Sequence, residues 1–321
     1  MNMKTIREIL EAKQIIIYFS TVIIASIIAL LVPATKVFAS SVNLTLALML
    51  FVTFLQVPLA DFKHALVKFR FLIVLFVVNF MVVPVIVIAL VQFLPVDPMV
   101  RLGVLLVLLT PCIDYVVTFA HIGRADARLL LVATPSLLIL QMLLLPIYLG
   151  LLLEEKAALL VHLGPFIEAF VWIIAIPLVL AALMQVWANR KSTGKRVLIT
   201  LGLMPVPATA LVLFVVITSV VPQLGLATGS VLKVIPIYLA FAIIAPWAGW
   251  FIARMFHLDV PSSRSVAFSA GTRNSLVVLP LAFAIPGAVP ILPAIIVTQT
   301  LVELVSELIY VHLIPKLMKQ E

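Results

Sequence analysis

The sequence predicts an all-α polytopic membrane protein: ten transmembrane helices arranged as two inverted five-helix repeats, with helices four and nine broken. Three observations carry this. Hydrophobic residues make up 64% of the 321 residues and charged residues 11%, against about 45–50% and 25% in soluble domains. Ten apolar stretches of the length that spans a bilayer core recur with short polar breaks from Gln14 to Pro315. Two of those stretches, the fourth of each set of five, hold polar, helix-breaking clusters at their centres.

The spans fall at roughly 14–34, 41–60, 71–94, 100–123, 128–152, 163–187, 197–222, 231–256, 264–288 and 291–314. This divides the chain into a cytoplasmic N-terminal segment (1–13), a first five-helix repeat (14–152), a second (163–314) and a cytoplasmic tail (315–321). Five is odd, so the second repeat enters the membrane from the opposite side, the inverted plan of many secondary transporters. The first span is too long an apolar run for the h-region of a signal peptide.

Basic residues set the orientation. With both termini cytoplasmic, the inner segments hold sixteen Lys and Arg, from Lys4 and Arg7 to Lys316 and Lys319. The outer segments hold only Lys36, Arg101, Lys156 and Lys233, and Arg273 is left inside a span. That is the positive-inside bias; the expected location is the plasma (inner) membrane. Trp187, Trp247 and Trp250 near inner helix ends suit an interfacial aromatic belt. The net charge of +8 is scattered rather than gathered in a patch, which argues against nucleic acid as a partner. One cysteine, Cys112, excludes an intramolecular disulfide and any multi-cysteine metal site. No pair of histidines has metal-ligand spacing, so no metal or other cofactor is expected.

Span 4 carries Thr110-Pro111-Cys112-Ile113-Asp114 and span 9 carries Ser269-Ala270-Gly271-Thr272-Arg273-Asn274-Ser275. Pro111 removes a backbone donor and clashes with the preceding turn, while Gly271 and Thr272 supply a flexible point and a hydroxyl for freed backbone. Non-helical backbone at membrane depth survives only when buried in protein or lining a wet cavity. Pro84, Pro177 and Pro246 read instead as ordinary kinks.

Asp114, Arg273, Glu303 and Glu307 lie at intramembrane depth, where an unpaired charge costs about 2.5–3.5 kcal/mol on insertion scales. Asp114 and Arg273 occupy nearly equivalent points of the two breaks and are expected to form an ion pair. Glu303 and Glu307 share one helical face with Thr300 and Tyr310, and repulsion between two carboxylates one turn apart favours a proton on one of them. Gln141 stands 162 residues before Glu303 as its neutral counterpart in the first half. Asp114, Thr118 and His121 form a second polar stripe, with His121 read as a residue near the cytoplasmic end; Glu168 can reach the outer interface.

With these breaks, the chain resembles the bile acid:sodium symporter superfamily, most closely its arsenical-resistance carrier branch. The resemblance rests on Pro111-Cys112 through Gly123-Arg124-Ala125-Asp126, on Leu301-Val302-Glu303, and on Asn274. It implies functional roles for Cys112 and Glu303. It also implies departures: Ser269 and Arg273 stand where sodium-coupled relatives have an acidic residue and a glutamine, and Leu276 stands where arsenical carriers have an acidic residue. Arg273 then acts as a built-in cation, which disfavours sodium coupling. Trivalent arsenic is soft and favours sulfur ligands, in keeping with Cys112.

The expectation is a secondary transporter exporting arsenite or a similar small oxyacid by proton exchange. Cys112, Asn274, Ser275 and Glu303 would bind the solute, and Asp114, Arg273, Glu303 and Glu307 would couple it. A sodium- or proton-coupled symporter of a small organic anion, with Arg273 on the carboxylate, is the alternative. An intramembrane enzyme or sensor is disfavoured, because no His-Glu-x-x-His helix or Gly-x-Ser-x-Gly elbow is present.

Overall fold

A computed structural model describes residues 3–56, 68–113, 115–153, 164, 167, 168, 170–285 and 287–318. Its regular elements are helical. Eight stretches are long and apolar enough to cross a membrane: Ile6–Leu31, Ala34–Phe54, Phe69–Val91, Ala127–Leu152, Val171–Arg190, Pro205–Gln223, Thr228–Met255 and Ile291–Leu317. The other two expected spans, 100–123 and 264–288, are each built from two short helices.

The chain forms two compact units, and each draws on both halves of the sequence. The first comprises Met1–Leu59 and Gly164–Leu226. It contains α1 (Met3–Leu31), α2 (Val42–Phe54), α3 (Ile176–Arg190), α4 (Ser192–Leu201) and α5 (Pro205–Val220). Here α5 packs on α1 and α2, and the buried Gln185 of α3 donates to Phe54 O (3.1 Å). The expected seventh span is interrupted at Gly202–Met204, where the turn ahead of Pro205 separates α4 from α5.

The second unit comprises Ala60–Leu163 and Ala227–Glu321. It contains α6 (Phe69–Val77), a π-helical turn Val78–Val82, α7 (Val83–Val91), α8 (Pro98–Leu108), α9 (Val116–Ile122) and α10 (Ala127–Leu152). After the first unit's second segment the chain returns with α11 (Thr228–Met255), α12 (Val260–Gly271), α13 (Ser275–Ala284) and α14 (Ile291–Leu317). The broken pairs α8/α9 and α12/α13 both begin at an aspartate followed closely by a proline. Asp97 accepts from Met99 N (2.9 Å) and Val100 N (3.2 Å), and Asp259 accepts from Ser262 N (2.9 Å). This is N-capping with a proline at the first helical positions. It starts the ninth span at Val260, before the expected 264, and so puts Arg264 one turn inside the helix. Arg264 still satisfies its charge at a helix end, donating to Pro315 O (3.3 Å) and Met318 O (2.9 Å) where α14 finishes.

Two kinking prolines leave carbonyls without their helical donors, and a tyrosine serves each. Pro84 cannot pair with Phe80 O, which accepts from Tyr148 Oη of α10 (2.5 Å). Pro246 cannot pair with Ala242 O, which accepts from Tyr310 Oη of α14. Every member of the second set lies 162 residues after its counterpart in the first, as Asp259 lies after Asp97. In apolar surroundings such freed backbone groups must find partners within the protein.

Candidate functional site

The site lies within the second unit, where the two breaks meet. Between α8 and α9 the chain leaves the helix at Leu109 and passes through Thr110, Pro111, Cys112 and Ile113. Between α12 and α13 it runs extended through Thr272, at φ −109° and ψ 128°. The segments cross as an isolated antiparallel β-bridge between Pro111 and Arg273. Cys112 N donates to Thr272 O (3.1 Å) and Asn274 N donates to Thr110 O (2.8 Å). The two bonds are mates of each other: each pairs a residue with the counterpart, 162 positions away, of the residue in the other bond. Backbone that no helix could satisfy thus satisfies itself across the crossing.

Gly271 is the last residue of α12 and acts by size rather than by flexibility. A Cβ there would lie 2.7 Å from Pro246 Cγ and 3.0 Å from the Tyr310 ring, so only glycine lets α11 and α14 close on the break. Thr272 donates to Phe268 O (2.7 Å) and is hydrogen-bonded to Glu307 Oε1.

Arg273 is fully buried. Its Nη2 donates to Asn79 Oδ1 (2.8 Å), Ala270 O (2.9 Å) and Ser269 O, and its Nη1 reaches Leu108 O (3.5 Å). The guanidinium also lies over the Phe241 ring, 5.5 Å from its centroid. Leu108 ends α8, and Ser269 and Ala270 belong to the last turn of α12. The cation therefore sits where the negative ends of two half-helices converge. No carboxylate among the described residues lies within 4.0 Å of it. The expected partner, Asp114, lies outside the described residues.

Glu303 ties α14 to both breaks. Its Oε1 accepts from Tyr115 Oη (2.5 Å), beside the first break, and its Oε2 accepts from Arg273 N (2.6 Å) in the second and from Gln299 Nε2 (2.5 Å). Three donors and no acceptor suit an ionised carboxylate. Glu307, one turn on, has an Oε2 without a partner. Thr272 has one hydroxyl proton, and Phe268 O takes it if the Glu307 carboxyl supplies its own to Thr272 Oγ1.

The other expected site residues fall around the same crossing. Cys112 is buried at the bridge. Asn274 caps α13, accepting from Val277 N (3.4 Å), while its Nδ2 is buried without a partner. Ser275 Oγ pairs with Thr300 Oγ1 of α14 (2.7 Å). Sequence reasoning missed three contributors: Asn79, Tyr115 and Gln299. Asn79 lies in the π-helical turn, and its amide also donates to Leu75 O and Ser269 Oγ (3.0 Å each). The signal was present: a lone amide in an apolar run, five residues before Pro84. Such turns collect at functional sites because the widened ladder re-aims a side chain.

The stretch 43–228, more than half of the sequence, matches the sodium bile acid symporter family. The chain belongs to that family. It is accordingly a multi-pass membrane solute transporter. The match includes the first break with Cys112 and ends before α12 and the second break. No curated protein matches the sequence.

Proposed function

We propose that this family member is a ten-span secondary transporter of the plasma membrane, with both termini cytoplasmic, that exports arsenite or a similar small oxyacid in exchange for protons. The observation that carries the reading is the crossing of the two breaks, which joins a thiol-bearing segment to a buried carboxylate in one hydrogen-bonded unit. Two inverted five-helix repeats, 14–152 and 163–314, account for the shared 162-residue spacing of caps, kinks, tyrosines and bridge. Cys112 offers a soft ligand that trivalent arsenic prefers, and Asn274, Ser275 and Glu303 offer hydrogen-bonding groups for its hydroxyls. Glu307 is the proton carrier, with Glu303 as the charged neighbour that senses its state.

Sodium belongs to the family's name, but in this chain a tethered guanidinium fills the space between the half-helix ends, where a mobile cation would be held by carbonyl oxygens. The same contacts weigh against an organic-anion symporter, because both Nη atoms of Arg273 are already engaged. The test is resistance of an arsenite-sensitive bacterial host. The parent protein should confer it and Cys112→Ser should not, at matched membrane expression. Resistance retained by Cys112→Ser would exclude sulfur ligation, and no resistance from the parent would exclude arsenite.

A further inference from the structure

The 162-residue correspondence has one conspicuous failure, at Gln141. Its counterpart is Glu303, which takes hydrogen bonds from Arg273 N, Gln299 and Tyr115. The positions that correspond to those three donors are Pro111, which has no N–H, Leu137 and Val277. Gln141 therefore occupies the mirror position of the bridging carboxylate with every mirror donor removed. The side chain reflects this: it is 1% exposed, and both its Oε1 and its Nε2 lack a partner. Gln141 also lies seven residues, two helical turns, after Thr134 on the buried face of α10, and the Thr134 hydroxyl donates to Ile113 O in the first break (3.3 Å). A buried amide with neither end satisfied is rare in folded proteins unless a ligand or water completes it.

We propose that Gln141 is a solute-binding residue, forming with the first break the neutral half of a two-sided site whose charged half is Glu303. The ligand class follows from the amide. It presents a donor and an acceptor side by side, which a hydroxyl, itself donor and acceptor, satisfies completely. An anion, which only accepts hydrogen bonds, would leave the buried carbonyl unpaired. The half-site thus selects an uncharged, hydroxyl-bearing small solute, such as an undissociated oxyacid. This rests on the transporter reading above and deepens it.

The experiment uses the full-length protein and arsenite as the probe. Gln141→Leu removes the orphaned amide while keeping bulk, so the melting temperature in detergent should hold or rise, because an unsatisfied buried polar group is replaced by an apolar one. Arsenite flux in proteoliposomes at low solute concentration should fall about tenfold, the equivalent of one well-made hydrogen bond. An unchanged flux, or a melting temperature that falls by many degrees, would overturn the assignment, the second by showing that Gln141 holds the fold together.

A second measurement is independent of the solute. In a Cys112→Ser background, Gln141→Cys should react with a small water-soluble thiol reagent, whereas a cysteine at Leu143, exposed on the outside of the same apolar span, should not. Failure to label Gln141→Cys would also overturn it. If the parent moves no arsenite, the substrate reading falls and the labelling alone decides for or against Gln141.

Discussion

Tyr310 supplies a hydrogen bond whose cost of removal depends on a proline in another helix. Its hydroxyl donates to Ala242 O, the carbonyl that Pro246 leaves without a helical donor. Tyr310→Phe deletes only that hydroxyl. A buried carbonyl left unpaired costs about 1–3 kcal/mol, while side-chain bonds measured inside membranes average about 0.6 and reach about 1.7 kcal/mol. The expected loss is therefore about 1 kcal/mol, measured by reversible unfolding in mixed micelles. In a Pro246→Ala background the new N–H of residue 246 can close the helical ladder on Ala242 O, and Tyr310→Phe should then cost less than about 0.3 kcal/mol. The gap that alanine leaves beside Gly271 is present with and without the Tyr310 hydroxyl in that background, and so cancels from the difference. Tyr148→Phe with Pro84→Ala should repeat the pattern in the first half, through Phe80 O. Equal losses from Tyr310→Phe in both backgrounds would refute the reasoning, because the hydroxyl would then be acting on something other than the freed carbonyl.

Asn79→Leu removes a neutral acceptor from a buried guanidinium, and that lost contact should destabilise the protein by about 1.5–3 kcal/mol; when Arg273 is already methionine the cost should shrink to that of the bonds to Leu75 O and Ser269 Oγ alone, and an undiminished cost there would disprove the contact. At the start of α12, burial pushes the Asp259 carboxyl up, but hydrogen bonds from the Ser262 side chain and backbone and the charge of Lys68, 3.9 Å away, hold it below its ordinary 3.8. A depressed carboxylate contributes stability above its unfolded pKa and loses it as pH falls through the folded one. Asp259→Asn should therefore be less stable than the parent near neutral pH and converge with it well below pH 3.8; a difference that ignores pH would contradict the pairing.

The sequence made the spans legible because bilayer thickness fixes their length, and it marked both breaks because proline and clustered polar groups are expensive at that depth. What it concealed was pairing. Nothing in Asn79, Tyr115 or Gln299 taken singly says which carboxylate or guanidinium each will meet, since the partners of Asn79 and Tyr115 lie 194 and 188 residues away. Gly271 looked like a hinge and proved to be a point of close approach, a property of helices that only the fold brings together. The tyrosines that serve the kinked helices were equally hidden, although their common 68-residue separation from the freed carbonyls was open to inspection. Periodicity exposes one helix at a time, whereas an internal repeat has to be sought by comparing the two halves.

The central claim, proton-driven export of a small oxyacid without sodium, is tested most directly by arsenite flux in proteoliposomes under imposed ion gradients. With Arg273 holding the place between the half-helix ends and Glu307 carrying the proton, a pH gradient should drive flux whether sodium is present or absent, and Glu307→Gln should abolish that drive. Flux that follows a sodium gradient at constant pH, and that a pH gradient fails to move, would contradict the account.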